Sequence, residues 1–127
     1  MQCPCTPARA YQDCCGAHHT SFAQTGRLTA PTAEALMRSR YSAFVLDLRD
    51  YLLASWHPST RPGQLEAPEA GLKWLGLEVK AQQEKDDTAT VAFVARGKLG
   101  GRAHRLVETS RFVREDGQWF YVDGDLA

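Results

Sequence analysis

All four cysteines lie near the start of the chain, in two close pairs. Cys3 and Cys5 form the first pair, and Cys14 and Cys15 form the second. Residues 6–13 form the loop between the pairs. Four sulfur ligands satisfy a tetrahedral zinc ion, and two pairs joined by a short loop can wrap around one. The spacing therefore predicts a structural zinc site. Because four protein ligands would close it, the site has no open position for a substrate.

The fourth ligand of this predicted site is open to alternatives. Cys3, Cys5 and Cys14 are the first three candidates. Cys15 is favoured as the fourth, with His18 or His19 as the substitute, since each lies within a turn of Cys14. Disulfides are disfavoured because adjacent cysteines pair with each other only through a strained ring. A redox or metal-buffering role of the thiols is a third and weaker interpretation.

A second group of candidates could form a ligand pocket. It consists of Arg40, Tyr41, Trp56, His57, Glu108 and Ser110. Since side chains alternate along a strand, Glu108 and Ser110 share a face with the apolar Leu106 and Phe112. A polar middle flanked by apolar residues is typical of a sheet face that lines a cavity with a few polar anchors.

Each pocket candidate also has a simpler interpretation. The face with Glu108 and Ser110 could point outward into solvent, and this is slightly preferred. The opposite face also mixes polar and apolar residues, so the pattern itself does not decide which face is inward. His57 and Glu108 have the parts of an acid–base dyad, yet a histidine at a helix end more often caps carbonyls or meets solvent. Arg40 could bind an anionic ligand with Tyr41, although a solvated or ion-paired arginine is the preferred interpretation.

The elements that must position these residues begin after a linker predicted over residues 23–31. Thr32 stands at an N-cap position, and apolar residues then recur at helical spacing for about four turns. A second, shorter helix is predicted from Tyr51 to Trp56, capped by Asp50 and stopped before Pro58. Residues 58–70 are rich in turn-forming residues and are predicted to be loop.

After Gly71 the pattern changes from helical to alternating, which predicts four strands. The first fades over Gln82-Gln83-Glu84-Lys85, the second runs over 88–98, the third over about 102–114 and the fourth over 118–122. Asp116-Gly117 is the strongest hairpin signal in the chain. Two helices followed by an antiparallel meander predict an α+β domain with the helices on one face of the sheet.

Composition limits the classes of function. With 127 residues, 43% hydrophobic and 24% charged, the chain suits one globular domain with a small appendage. A formal net charge of zero gives no general attraction to nucleic acid or to an anionic membrane, which disfavours nucleic acid as a partner. The N-terminus lacks the apolar core of a secretory signal and no run suits a membrane span, which favours the cytoplasm, where thiols stay reduced.

The cysteine segment, Cys3-Pro4-Cys5 and then Cys14-Cys15-Gly16 after eight residues, resembles the bacterial SEC-C zinc motif. Further segments make the whole chain resemble the bacterial YchJ-like family; they are Met37 to Ala43, Trp56 to Pro62, Ser110-Arg111-Phe112 and Trp119 to Gly124. The resemblance implies a SEC-C-like zinc-binding segment over 1–22. Over 30–127 it implies a cystatin-like cone of the nuclear-transport-factor-two type, in which a curved sheet wraps against helices and often leaves a cavity. One departure is Thr6-Pro7-Ala8-Arg9, where SEC-C motifs usually carry residues like Gly-Ser-Gly.

Two functions follow as expectations, since the resemblance supplies fold and metal but no activity. The first is a zinc-stabilised binding or adaptor module for a protein or ribosomal partner, which is slightly favoured because its residues are the least ambiguous. The second is a small-molecule-binding protein or enzyme that uses the cavity of the cone, and a filled interior would count against it. The sequence does not decide whether the protein is an enzyme.

Overall fold

The N-terminal segment folds into a small hairpin followed by a helix. In the computed structural model, which describes residues 1–127, β1 (Gln2–Cys3) pairs antiparallel with β2 (Thr6–Ala10). A 3-10 turn over Tyr11–Asp13 leads into helix α1 (Cys15–Thr25). Gly26 ends this helix in the left-handed region, with φ of 74°, and its N–H is donated to the carbonyl of Phe22. The linker predicted from residue 23 was wrong at its start, because α1 runs through the first three of those residues.

Two further helices follow. Helix α2 (Ala33–Leu46) begins as predicted, since the Thr32 side chain accepts a hydrogen bond from the Ala35 N–H. Helix α3 (Arg49–Ala54) begins earlier than predicted, with Leu48 at its N-cap and no capping side chain. The cap predicted at Asp50 was wrong, because Asp50 already lies in the first turn of the helix.

A four-stranded antiparallel sheet forms the second layer, in the order of the chain. Its strands are β3 (Lys73–Lys85), β4 (Thr88–Leu99), β5 (Arg102–Glu115) and β6 (Gln118–Leu126). Asp116 and Gly117 both have positive φ, 52° and 72°, as a tight hairpin turn of this type requires. Strand β3 ends at Lys85, at the end of the stretch over which the prediction has it fade, and its main-chain pairing with β4 continues to Lys85 and Thr88.

The sheet is curved, and the helices cover its concave face. Register shifts interrupt β3 between Trp74 and Gly76 and again between Val79 and Ala81. The pairing of β5 with β6 shifts between Arg111 and Phe112, where Val122 of β6 is skipped. Such bulges bend a strand and increase its twist. The main buried cluster joins α2 to the sheet; it comprises Ala30, Ala33, Leu36, Met37, Ala89, Val91, Phe112 and Trp119. The α+β cone is therefore confirmed, with three helices in place of the predicted two.

The N-terminal segment shares a buried cluster with the rest of the molecule. Cys3, Cys5 and Cys15 are each at most 3% exposed and pack with Tyr41 of α2 and Ala95 of β4. The division of the chain into segments 1–22 and 30–127 stays a prediction, and the two parts meet at this cluster. None of the three helices has the length and apolar character that crossing a membrane requires.

Candidate metal centre and ligand cavity

The four cysteine side chains meet at one point beside α2. Their Sγ atoms all lie within 4.8 Å of one another. The Cys3 and Cys5 sulfurs are 3.6 Å apart, and so are those of Cys5 and Cys14. The short hairpin brings Cys3 and Cys5 together, and the start of α1 supplies Cys14 and Cys15. This cluster could hold one metal ion.

Hydrogen bonding and burial give the thiols of Cys5, Cys14 and Cys15 different pKa values. The pKa of the Cys5 thiol is lowered to about 5, first by a hydrogen bond from Cys15 and further by those from Cys14 and Cys3, against the effect of burial. Burial raises the pKa of Cys14 to about 11, and the hydrogen bond to Cys5 raises the pKa of Cys15. Cys5 therefore loses its proton more readily than Cys14 or Cys15, as a ligand to a metal cation must.

Neither candidate histidine belongs to the cluster. His18 Nδ1 lies 3.1 Å from the Thr29 hydroxyl. His19 is buried, with Nε2 2.8 Å from the Ser39 carbonyl oxygen and Nδ1 2.6 Å from the Tyr11 hydroxyl. Because a carbonyl only accepts, Nε2 carries the proton and Nδ1 accepts from Tyr11. Burial lowers the pKa of His19. Both ring nitrogens of His19 are occupied, so its substitute role as a fourth ligand is not supported by this geometry.

His19 instead connects the N-terminal segment to the helices of the cone. Its ring packs edge-on against Tyr51 of α3, with centroids 4.6 Å apart. The Tyr51 hydroxyl lies 2.7 Å from the Ser39 hydroxyl, and the Ser39 hydroxyl also bonds to the Leu36 carbonyl. A continuous buried network therefore runs from Tyr11 through His19 to α2 and α3. In the sequence, two adjacent histidines are its only signal.

An open cavity of about 280 Å³ lies between α2 and the concave face of the sheet. Ten of its thirteen lining residues are hydrophobic; the full lining is Met37, Arg40, Tyr41, Phe44, Trp56, Trp74, Phe93, Ala95, Leu106, Glu108, Ser110, Phe112 and Tyr121. The face of β5 that carries Glu108 and Ser110 thus points inward. The slightly preferred outward interpretation was wrong. Five of the six predicted pocket residues line this cavity.

Arg40 is the most buried charge in the cavity, at 6% exposed. Its Nη1 donates to the Leu52 carbonyl at 2.7 Å and to the Ser55 hydroxyl at 2.6 Å. The guanidinium carbon lies 4.6 Å from the ring centroid of Tyr121 and 5.3 Å from that of Trp56. Burial lowers the pKa of Arg40 to about 10, so it remains charged at neutral pH. It is neither solvated nor ion-paired, and both of those expectations were wrong.

Glu108 is the second charged group of the lining. It is half-buried, and its Oε2 accepts a hydrogen bond from the Ser110 hydroxyl. Gly124 of β6 lies directly beside it, where a Cβ would overlap the carboxylate. Glycine at this position therefore leaves the room that the Glu108 side chain occupies.

His57 lies outside the cavity, which corrects its prediction as a pocket residue. Its backbone N–H donates to the Tyr121 carbonyl at 2.7 Å, and the Ser55 carbonyl accepts from the Tyr121 N–H at 2.9 Å. This pairing of the end of α3 with β6 directs the ring to Ser59 and to Glu115, 2.7 Å and 2.9 Å away. A dyad of His57 with Glu108 is not formed.

Comparison with known proteins supports the same organisation. Residues 32–124 match the family model described as YchJ, middle NTF2-like domain. The chain belongs to the YchJ family. A UPF0225 protein of Bordetella pertussis is 62% identical to this YchJ family protein over 98% of the chain and 92% of its own length. A UPF0225 protein of Chromobacterium violaceum is 55% identical over 98% of the chain and 93% of its own length.

Two solved structures resemble this YchJ family chain along its whole length. A SEC-C motif containing protein from Rhodopseudomonas palustris has a TM-score of 0.85 and 33% identity, covering 100% of this chain and 99% of the other. A SEC-C motif containing protein from Psychrobacter arcticus has a TM-score of 0.79 and 31% identity, covering 100% of this chain and 83% of the other. The SEC-C motif and the NTF2-like cone are thus shared with known structures.

Cavity residues that the sequence analysis missed include Trp74, Phe93 and Tyr121. Phe93 and Tyr121 follow the alternation of their strands. Both would have been predicted to line the cavity if the inward face of β5 had been known. Trp74 lies beside the bulge at the start of β3, and no sequence signal gives the direction of its side chain.

Proposed function

We propose that this YchJ family protein binds a small molecule in the cavity of its cone. The observation that supports the proposal is the open, mainly apolar cavity, with Arg40, Glu108 and Ser110 as its polar groups. A concave apolar site with a few convergent polar groups is the usual form of a ligand site. Phe44 and Leu106 are the most exposed lining residues, at 42% and 36%, so ligands would enter beside them.

Substitutions at the entrance test the cavity as the ligand site. A library of one-ring fragments is screened by ligand-observed NMR against the wild type and the L106W variant. Leu106→Trp should block the entrance and abolish binding of the hits. L75W is the matched control, because Leu75 is also an exposed strand leucine, at 56%, but does not line the cavity. Hits that bind L106W as well as the wild type, or a library without hits, would contradict the proposal.

The second part of the proposal is that Cys3, Cys5, Cys14 and Cys15 bind one structural zinc ion. A zinc tetrahedron with Zn–S distances of about 2.3 Å has S···S edges of about 3.8 Å. The 3.6 Å separations between the sulfurs of Cys3 and Cys5 and of Cys5 and Cys14 suit that size. The guanidinium of Arg38, whose Nη1 donates to the Cys5 carbonyl, would offset part of the thiolate charge. The proposal places the protein in the cytoplasm, where the thiols stay reduced.

Elemental analysis of reduced protein tests the zinc proposal. The wild type should contain about one zinc per chain, and Cys5→Ser should lose most of it. His18→Ala should keep its zinc, because His18 lies outside the cluster. Wild-type protein purified without metal chelators that contains no zinc would refute the assignment, and zinc loss in the His18 variant would return His18 to the ligand set.

A protein or ribosomal partner is a second candidate function. Phe44 and Leu106 leave apolar surface exposed beside the cavity, which a partner would cover. Affinity capture should then recover a partner whose binding is lost on Leu106→Asp and weakened on Cys3→Ser. Capture that neither variant affects would exclude an adaptor function at this surface.

A further inference from the structure

Arg40 keeps hydrogen-bond donors free inside the cavity. Only its Nη1 bonds to the protein, to the Leu52 carbonyl and the Ser55 hydroxyl. The Nε and Nη2 atoms have no hydrogen bond to protein, although the residue is 6% exposed. Neither atom is fully buried, because the one fully buried side-chain polar atom without a partner is Trp119 Nε1, so both donors are accessible from the open cavity. A carbonyl oxygen on a ligand could therefore accept from them there.

Glu108 keeps an acceptor free in the same cavity. Its Oε2 is occupied by the Ser110 hydroxyl, whereas Oε1 has no hydrogen-bond partner. Arg40 and Glu108 are both part of the lining, and no ion pair joins them. The cavity therefore presents a free donor and a free acceptor, and its two charges sum to zero.

Because the charges of Arg40 and Glu108 cancel, we expect the cavity to favour an uncharged ligand. A carboxylate bound to Arg40 would place a second negative charge in a small cavity with Glu108, where repulsion is stronger than in water. An uncharged group that accepts from Arg40 and donates to Glu108 avoids this repulsion and satisfies both residues.

The volume of the cavity and its aromatic lining indicate the rest of the ligand. An apolar cavity of about 150 Å³ holds benzene. The 280 Å³ available here therefore admits one aromatic ring with a polar substituent. The rings of Trp74, Phe93 and Phe112 in the lining suit edge or offset contacts with such a ring.

We infer that the cavity selects uncharged aromatic compounds that carry a carboxamide or lactam group, with the carbonyl oxygen on Arg40 and the N–H on Glu108. This inference rests on the proposed function, because it names the class of ligand for the same cavity. It assigns the two charged residues complementary tasks in recognition.

Three probes of nearly equal shape test the inference: benzamide, benzoate and toluene. Their binding to the wild-type protein is followed by the fluorescence of Trp56 and Trp74, which line the cavity. Benzamide should bind at least about tenfold more tightly than benzoate and than toluene, because only benzamide matches both polar residues without added charge. The Glu108→Gln variant removes the charge and keeps the shape, so benzoate should gain at least about tenfold there. Glu115→Gln is the control, since Glu115 lies on the same strand but outside the cavity.

The outcomes distinguish a failure of the inferred ligand class from a failure of the proposed function. Benzoate binding to the wild type as tightly as benzamide would overturn the inference and leave the ligand cavity intact, as would toluene equal to benzamide. Failure of all three probes to bind would overturn the inference, and a fragment library without hits would refute the proposed function itself. The wild-type comparison decides the ligand class even if the Glu108 variant does not fold.

Discussion

The hydrogen bond from Tyr11 to His19 should stabilise the junction between the N-terminal segment and the cone. Tyr11→Phe removes only the hydroxyl, which donates to His19 Nδ1 at 2.6 Å. His19 cannot turn to compensate, because its Nε2 is held by the Ser39 carbonyl at 2.8 Å. The substitution therefore leaves a ring nitrogen of a buried histidine without a donor.

The magnitude follows from the burial of the two partners. An unsatisfied buried acceptor costs about 1–3 kcal/mol, and the half-buried position of Tyr11 favours the lower part, about 1–2 kcal/mol. At an unfolding entropy of about 2.1 cal/mol/K per residue, 127 residues give roughly 0.27 kcal/mol/K. The melting temperature should therefore fall by about 4–7 °C.

Calorimetry on protein with its metal content held constant measures this effect. Tyr121→Phe is the matched control, because the Tyr121 hydroxyl makes no hydrogen bond to protein, and its melting temperature should change by less than about 2 °C. Equal melting temperatures for the two variants would refute the argument that Tyr11 fixes the orientation of His19. The ring of Tyr11 itself should stay in place, because it packs directly on Gly16, where a Cβ would collide with it.

Three further predictions test other parts of the structure. Burial lowers the pKa of His19, so as pH falls the imidazole is protonated in the unfolded chain before it is protonated in the folded protein. The free energy of unfolding should therefore fall as pH drops below about 6.5. Urea unfolding at pH 7.5 and 5.5 should show a smaller loss for His19→Gln than for the wild type, while the exposed His104→Gln keeps the wild-type loss. Gly124→Ala should cost about 1 kcal/mol by displacing the flexible Glu108 side chain, whereas Gly63→Ala, with open space around it, should change stability by less than about 0.5 kcal/mol in the same assay. If the cysteines bind zinc as proposed, removal of the ion with a chelator should lower the free energy of unfolding by several kcal/mol and zinc should restore it, and an unchanged value in protein shown to be metal-free would exclude a structural role.

Much of the fold could be predicted because its signals are local. The Thr32 cap needs only the neighbouring N–H groups of α2, and the Asp116-Gly117 turn needs only two residues that accept positive φ. The cysteine pairs likewise predicted their own proximity, since a short loop joins them. Each of these features depends on residues close together in the chain.

Helix α1 could not be predicted from an apolar stripe, because it has none. Its buried residues are Cys15, Gly16 and His19, which are small or polar. They are buried by contacts with Tyr11, Tyr41 and Tyr51, and tertiary packing of this kind routinely overrides weak local preference.

The direction of the cavity residues depended on contacts that are distant in the chain. Both faces of β5 mix polar and apolar residues. Alternation therefore shows which residues share a face, but not which face the helices cover. Arg40 is buried because the Leu52 carbonyl and the Ser55 hydroxyl meet its Nη1 across the helix pair. His57 turned outward because the end of α3 pairs with β6. None of these contacts has a signal in the spacing of residues along the sequence.

The packing of the cysteines against Ala95 has a consequence for biosynthesis. The four cysteines precede Ala95 in the chain, so the ribosome synthesises the thiols well before the strand that covers them. They therefore stay open to oxidants until β4 has been synthesised and has docked on α2. A metal ion captured during that interval would protect the sulfurs before β4 could.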